Sequence, residues 1–180
     1  MKEFLHRGGW LFLAILFIVT ALGVGVYAFV VNTHPASPDS SYIKCNQGKI
    51  GEQKPGSNGK YEGAQLVDFK PVNHVSYVQC QDSKVGTGAT ATATSTVTAT
   101  YTGALASTGK IFQSSLDTGQ PFTTALNQVI QGWQASIPGM KVGGTRRMMI
   151  PAQYAYGPSG GPGIPPNSDL VFDVTLLAVK

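Results

Sequence analysis

Asn127-Gln128-Val129-Ile130-Gln131-Gly132-Trp133-Gln134-Ala135-Ser136-Ile137-Pro138-Gly139 is the stretch on which the fold turns. Leu126, Val129, Ile130, Trp133 and Ile137 recur at helical spacing, so one apolar face runs along the segment. Asn127 is placed to cap its start, because an Asn side chain accepts from early backbone N–H groups. Pro138-Gly139 ends it, since neither residue continues a helix. The expectation is one short amphipathic helix of about two turns whose apolar face carries a Trp. So short a helix does not bury such a face alone, and a sheet has to wrap it.

The flanking sequence supplies the strands. Residues 75–78 are a candidate strand, and 85–88 make a turn. Residues 89–102 alternate Ala and Thr with Val97 and Tyr101 inserted; period two with abundant Thr reads as β structure rather than as low complexity. Thr108-Gly109 turns into a strand through Phe112, and Gly143-Gly144 turns into another over 145–150 that stops at Pro151. Residues 154–167 form a Gly- and Pro-rich loop, and 170–179 close the domain as a strand around Phe172, Val174 and Leu176. Val97, Val171 and Leu176 read as plain core, and Arg146 and Arg147 as a solvated strand face. The fold class is therefore α+β, mostly antiparallel strands with one short helix across a face.

Ahead of this domain the chain changes character twice. Residues 8–31 carry no charge; at about 1.5 Å per residue they reach roughly 36 Å, against about 30 Å of membrane hydrocarbon. The run is longer than the apolar part of a cleaved leader, so residues 1–31 are expected to be an uncleaved transmembrane anchor. Lys2 and Arg7 precede it and no Lys or Arg follows until Lys44, which orients the N-terminus to the cytoplasm and the body outside. Residues 32–74, with Pro35, Pro38 and Pro55 and few large apolar side chains, read as a partly disordered linker. Residues 75–180 are the folded domain. Cys45 and Cys80 are the two cysteines. In an oxidising compartment they form a disulfide, which stabilises by roughly 4 kcal/mol in the chain-entropy model.

Conventional catalytic sets are missing from the domain. No His follows position 74, so Ser-His-Asp and Cys-His arrangements are excluded within it. Asp117, Asp169 and Asp173 are not spaced as an acid–base pair. The three His are scattered and Cys-x-x-Cys is absent, which leaves no metal site, and no Gly-rich loop leads into a helix to hold phosphate. A formal net charge of +4 spread along the chain does not point to nucleic acid. Neither a cofactor nor a metal is expected, and the chain is read as a monomer. By periodicity Trp133 is a core residue. The Tyr154-Ala155-Tyr156-Gly157 and Ile164-Pro165-Pro166 segments add a rim of loops that suits a binding pocket.

Tyr101-Thr102-Gly103, Gly109-x-x-Phe112-x-Ser114-Ser115, Pro121-Phe122, Val129-Ile130-x-Gly132-Trp133, Gly139-Met140-x-x-Gly143, Ile150-Pro151, Tyr154-Ala155-Tyr156-Gly157, Ile164-Pro165-Pro166 and Leu170-Val171-Phe172-Asp173-Val174 come in an order that resembles the FKBP-type peptidyl-prolyl cis–trans isomerases. The resemblance covers about residues 85–180. It implies a five-stranded antiparallel sheet curled around the helix, isomerisation of X–Pro bonds in polypeptide clients, and macrolide inhibitors as ligands. It also implies a catalytic pocket with Trp133 as floor, walls of Tyr101, Phe112 and Phe172, the Ile130 N–H and the Tyr156 hydroxyl as donors, and Gln113 where the family carries Asp. Phe122, Val129 and Ile164 are implied as substrate contacts. The implied role is assistance to the folding of exported or membrane proteins. The alternative is a non-catalytic proline-peptide-binding chaperone module that uses the same groove.

Overall fold

The computed structural model describes residue 43 and residues 45–180. Eight elements matter for the site: β1 (Cys45–Gln47), β2 (Gln79–Lys84), β3 (Thr96–Leu105), β4 (Ile111–Ser114), β5 (Phe122–Ala125), α1 (Gln131–Ser136), β6 (Thr145–Ile150) and β7 (Leu170–Val179). The seven strands form one sheet in the order β1-β2-β6-β7-β3-β4, and β5 pairs with the first half of β3. This corrects the expectation of five antiparallel strands. β1 is added at one edge, parallel to β2, so the sheet is mixed.

The long central strands explain the core. β3 and β7 pair antiparallel from Val97↔Val179 to Leu105↔Leu170, with one bulge between Thr98 and Ala99. Alternation on β7 sends Leu170, Phe172, Val174 and Leu176 to one face, where all four are buried against α1. Val171 faces the other way, into a smaller cluster with Leu66, Ala104 and Ile111. The sheet is thus covered on both sides.

Three readings change. The strand expected over 75–78 is coil, and β2 begins at Gln79; the strand expected over 89–102 begins only at Thr96, after loop residues. The helix begins at Gln131, not beside Asn127. A 3₁₀ turn occupies Leu126–Gln128, and Val129 is extended (φ −108°, ψ 174°), which separates the two. Ile130 caps α1 without a side-chain hydrogen bond. The apolar stripe survives because Leu126 and Ile137 flank the helix at 0 % exposure and Trp133 lies between them.

A further correction concerns Arg146 and Arg147, which are buried rather than solvated. They are consecutive on β6 and so point to opposite faces, both covered. Arg146 Nε and Nη2 donate to the Asp82 carboxylate at 2.6 and 2.9 Å, and Nη1 donates to the Ser136 carbonyl at the end of α1. Arg147 forks onto Asp173 at 2.7 and 2.8 Å and donates to the Val67 and Asp68 carbonyls. Each guanidinium is compensated by geometry that only Arg supplies.

Residues 45–74 fall within the expected linker. Here they pack on the sheet through few apolar side chains and many polar clamps. Leu66 is 4 % exposed. The Asp117 carboxylate accepts from the Tyr61 and Glu62 N–H groups, Asp169 accepts from Val75 N–H, and Cys45 is bonded to Cys80 in a disulfide. The expected membrane segment lies outside the described residues. Among those described, no helix is long and apolar enough to cross a membrane.

Candidate active site

Five aromatic rings meet where α1 packs on the sheet. Tyr101 and Gly103 come from β3, Phe112 from β4, Phe122 from β5, Trp133 from α1 and Phe172 from β7. Ring centroids lie 5.6 Å apart for Trp133–Phe172, 5.7 Å for Tyr101–Trp133 and Tyr101–Phe122, and 5.8 Å for Phe112–Phe172. These pairs are edge-to-face, the arrangement favoured by the ring quadrupoles. Trp133 and Phe172 are each 4 % exposed, whereas Phe122 is 39 % exposed. The cluster therefore has a closed floor and an open rim.

Small residues let the rings converge. A Cβ on Gly103 would stand 2.7 Å from both Phe112 Cζ and Phe172 Cε1. A Cβ on Gly132 would stand 2.4 Å from Ile150 Cγ2, so only Gly lets α1 approach β6 this closely. Ser114 and Ser115 fix the backbone of Tyr101. The Tyr101 N–H donates to Ser115 Oγ at 2.9 Å, and the Tyr101 carbonyl accepts from Ser114 and Ser115 Oγ at 3.2 and 3.3 Å. None of these four was singled out as a site residue from sequence. The repeated Gly and Ser-Ser positions were visible, but their steric and positioning work appears only with the strands paired.

At the rim, Tyr156 is 42 % exposed and lies beside Gly161, while Ile164 is 6 % exposed and joins the core from the loop between β6 and β7. Val129 and Ile130 are half-buried against the same core. The Val129 carbonyl accepts from Gln134 Nε2 at 2.8 Å, which holds the turn into α1. No acceptor among the described residues takes the Ile130 N–H. Gln113 is exposed on β4 opposite Gly103, and its side chain makes no hydrogen bond among the described residues.

Electrostatically the site is quiet. Burial, and secondarily the neighbouring Tyr156, push the Tyr101 hydroxyl above the ordinary phenol range, so it remains a neutral donor. Among the described residues, no group of three or more His, Cys, Asp or Glu side chains is arranged to hold a metal ion. Such a site can desolvate a ligand and offer a few N–H and O–H donors; it has no nucleophile to offer. A separate cavity of about 510 Å³ lies on the opposite face of the sheet, beside Phe69, Tyr77, Arg147 and Met149, and shares none of the five rings.

Comparison with known proteins bears on this geometry. A family model described as FKBP-type peptidyl-prolyl cis–trans isomerase matches residues 88–177. FK506-binding protein 4 of Neurospora crassa is 46 % identical over 121 residues, 64 % of this chain and 26 % of that protein. The FKBP-type peptidyl-prolyl cis–trans isomerase FkpA of Aeromonas hydrophila is 43 % identical over 132 residues, 73 % of this chain and 46 % of that one. The match thus spans about a quarter to a half of the length of these curated relatives. Among solved structures, Escherichia coli FkpA superposes with a TM-score of 0.55 at 41 % identity, covering 63 % of this chain and 53 % of that chain. A peptidyl-prolyl cis–trans isomerase from Pseudomonas syringae gives 0.53 at 34 % identity, covering 61 % and 80 %.

Proposed function

Because this chain belongs to the FKBP-type peptidyl-prolyl cis–trans isomerase family, we propose that the five-ring pocket binds X–Pro segments of polypeptides and catalyses their cis–trans isomerisation. The observation that carries the reading is the closed floor of Trp133 and Phe172 beneath an open rim. An uncatalysed X–Pro bond crosses a barrier of about 18–20 kcal/mol in tens to hundreds of seconds. At the twisted transition state amide resonance is lost and the carbonyl is less polar. A dry aromatic surface favours that state over the planar amide, whose stronger dipole water solvates better. The Ile130 N–H and the Tyr156 hydroxyl hold the chain on either side of the bond, so that binding energy favours the distorted form.

The clients are proline-containing polypeptides outside the cytoplasm, reached by a domain tethered through residues 1–31 with its N-terminus cytoplasmic. The uncharged run over 8–31, its basic flank and the Cys45–Cys80 disulfide support this topology. Macrolides of the FK506 class fit the same pocket. The test follows relaxation of a proline peptide after a solvent jump, with the full chain in catalytic amount. The relaxation is expected to accelerate and to return to the uncatalysed rate with macrolide. Unaccelerated relaxation alongside saturable peptide binding would instead establish the non-catalytic chaperone module.

A further inference from the structure

The N-terminal segment builds a second wall beside the pocket. Gly63 N–H donates to the Ile111 carbonyl at 2.8 Å, Ile111 N–H to the Ala64 carbonyl at 2.9 Å, and Leu66 N–H to the Gly109 carbonyl at 2.8 Å, so residues 63–66 run along β4. Just upstream, both Asp117 carboxylate oxygens are taken by the Tyr61 and Glu62 N–H groups at 2.7 and 2.9 Å. The result is a cavity of about 490 Å³ bounded by Lys60, Glu62, Lys110, Phe112, Gly163 and Pro165. Phe112 is shared with the ring cluster, and a Cβ on Gly163 would meet Phe112 Cβ at 3.4 Å. The groove and the ring cluster therefore share Phe112 as a common wall. Its ionised side chains are two Lys against one Glu, and Asp117, which does not line it, is occupied by backbone donors.

We propose that this groove receives the polypeptide residues flanking the X–Pro bond and that Lys60 and Lys110 select an acidic side chain there. The inference rests on the isomerase reading of the ring pocket, but its readout is separate. The test uses the full chain and proline hexapeptides that differ only in Glu, Gln or Lys placed two residues before or two residues after the proline. Binding is read by fluorescence anisotropy and turnover by relaxation. In one of the two positions affinity is expected to fall in the order Glu, Gln, Lys, by about threefold per step at low salt, and the differences shrink as salt screens them. The double variant Lys60→Glu/Lys110→Glu reverses the order. Asp117→Ala, which releases the wall without altering the lysines, flattens it. Equal affinity of all peptides in both positions, or an order that survives the double variant, overturns the proposal. If the peptides bind in the expected order and none is turned over, the groove stands and the isomerase reading falls. If all are turned over without regard to charge, the isomerase reading stands and the groove falls.

Discussion

Gly103 sets how closely two of the five rings approach. Its missing Cβ is the space in which Phe112 Cζ and Phe172 Cε1 sit. Gly103→Ala forces both rings outward, an overpacking cost of about 1–3 kcal/mol, and kcat/KM for a proline peptide is expected to fall with it. Urea unfolding and turnover check this; unchanged values in both would mean that the rings have slack. Tyr101 makes a pH prediction. Its folded pKa is raised by burial, then by Tyr156, relative to an unfolded value near 10.0. The folded state therefore holds this proton more tightly. The stability it contributes is fully present below about pH 10 and is lost as the pH rises through the higher folded value. Titration at 295 nm should show one tyrosine ionising late, and its absence in Tyr101→Phe identifies it. The aromatic residues were legible in sequence because large apolar side chains in strands and helices seek burial. Gln113 was named only through the resemblance; it is exposed on β4, directly after Phe112 of the cluster.

At the scale of elements, α1 is held by contact rather than by helix-forming tendency. Six residues with no side-chain cap are marginal alone. Gly132→Ala should gain about 1 kcal/mol of helix propensity. It also drives a Cβ to within 2.4–2.8 Å of the Ile150 side chain. Ile150 is β-branched and 0 % exposed, so it has no room to yield. The clash, about 1–3 kcal/mol, is expected to win, and thermal unfolding should show net loss; a gain in melting temperature would contradict the close approach. β6 gives the second prediction. Arg146→Met leaves Asp82 and the Ser136 carbonyl without their donor, at about 3 kcal/mol; the low end of the range applies because the Asp82 side chain keeps 19 % exposure. Asp82→Leu/Arg146→Met should recover most of the loss, and a double variant as unstable as the sum of the singles would show that the two side chains do not interact. The strand itself was legible from 145 to 150. The burial of its two Arg was not, because a charged pair reads as solvated until both covering layers are known.

At the scale of the whole molecule, the chain between β1 and β2 is tied to the sheet by partners distant in sequence. Asp117 meets Tyr61 N–H across 56 residues, Asp169 meets Val75 N–H across 94, and Arg147 meets Val67 across 80. Composition alone made residues 45–74 look like linker, since apolar mass is scarce there and the clamps that replace it have no local signature. Periodicity marked Trp133 as core, and the ring pocket around it was implied only by the family resemblance; what the fold shows is that Tyr101, Phe112, Phe122, Trp133 and Phe172 meet in one cluster. The rings are surrounded by hydrocarbon, a few N–H and O–H donors, and a Tyr101 hydroxyl that stays protonated, and the proposed chemistry is built on those groups. Catalysis by desolvation and distortion requires no group to gain or lose a proton near neutrality. The decisive measurement is kcat/KM for X–Pro isomerisation by the full chain from about pH 6 to about pH 9. Acceleration at a level value across that range is the expected result; a bell-shaped or steeply sloping profile, or no acceleration at any pH, would contradict it.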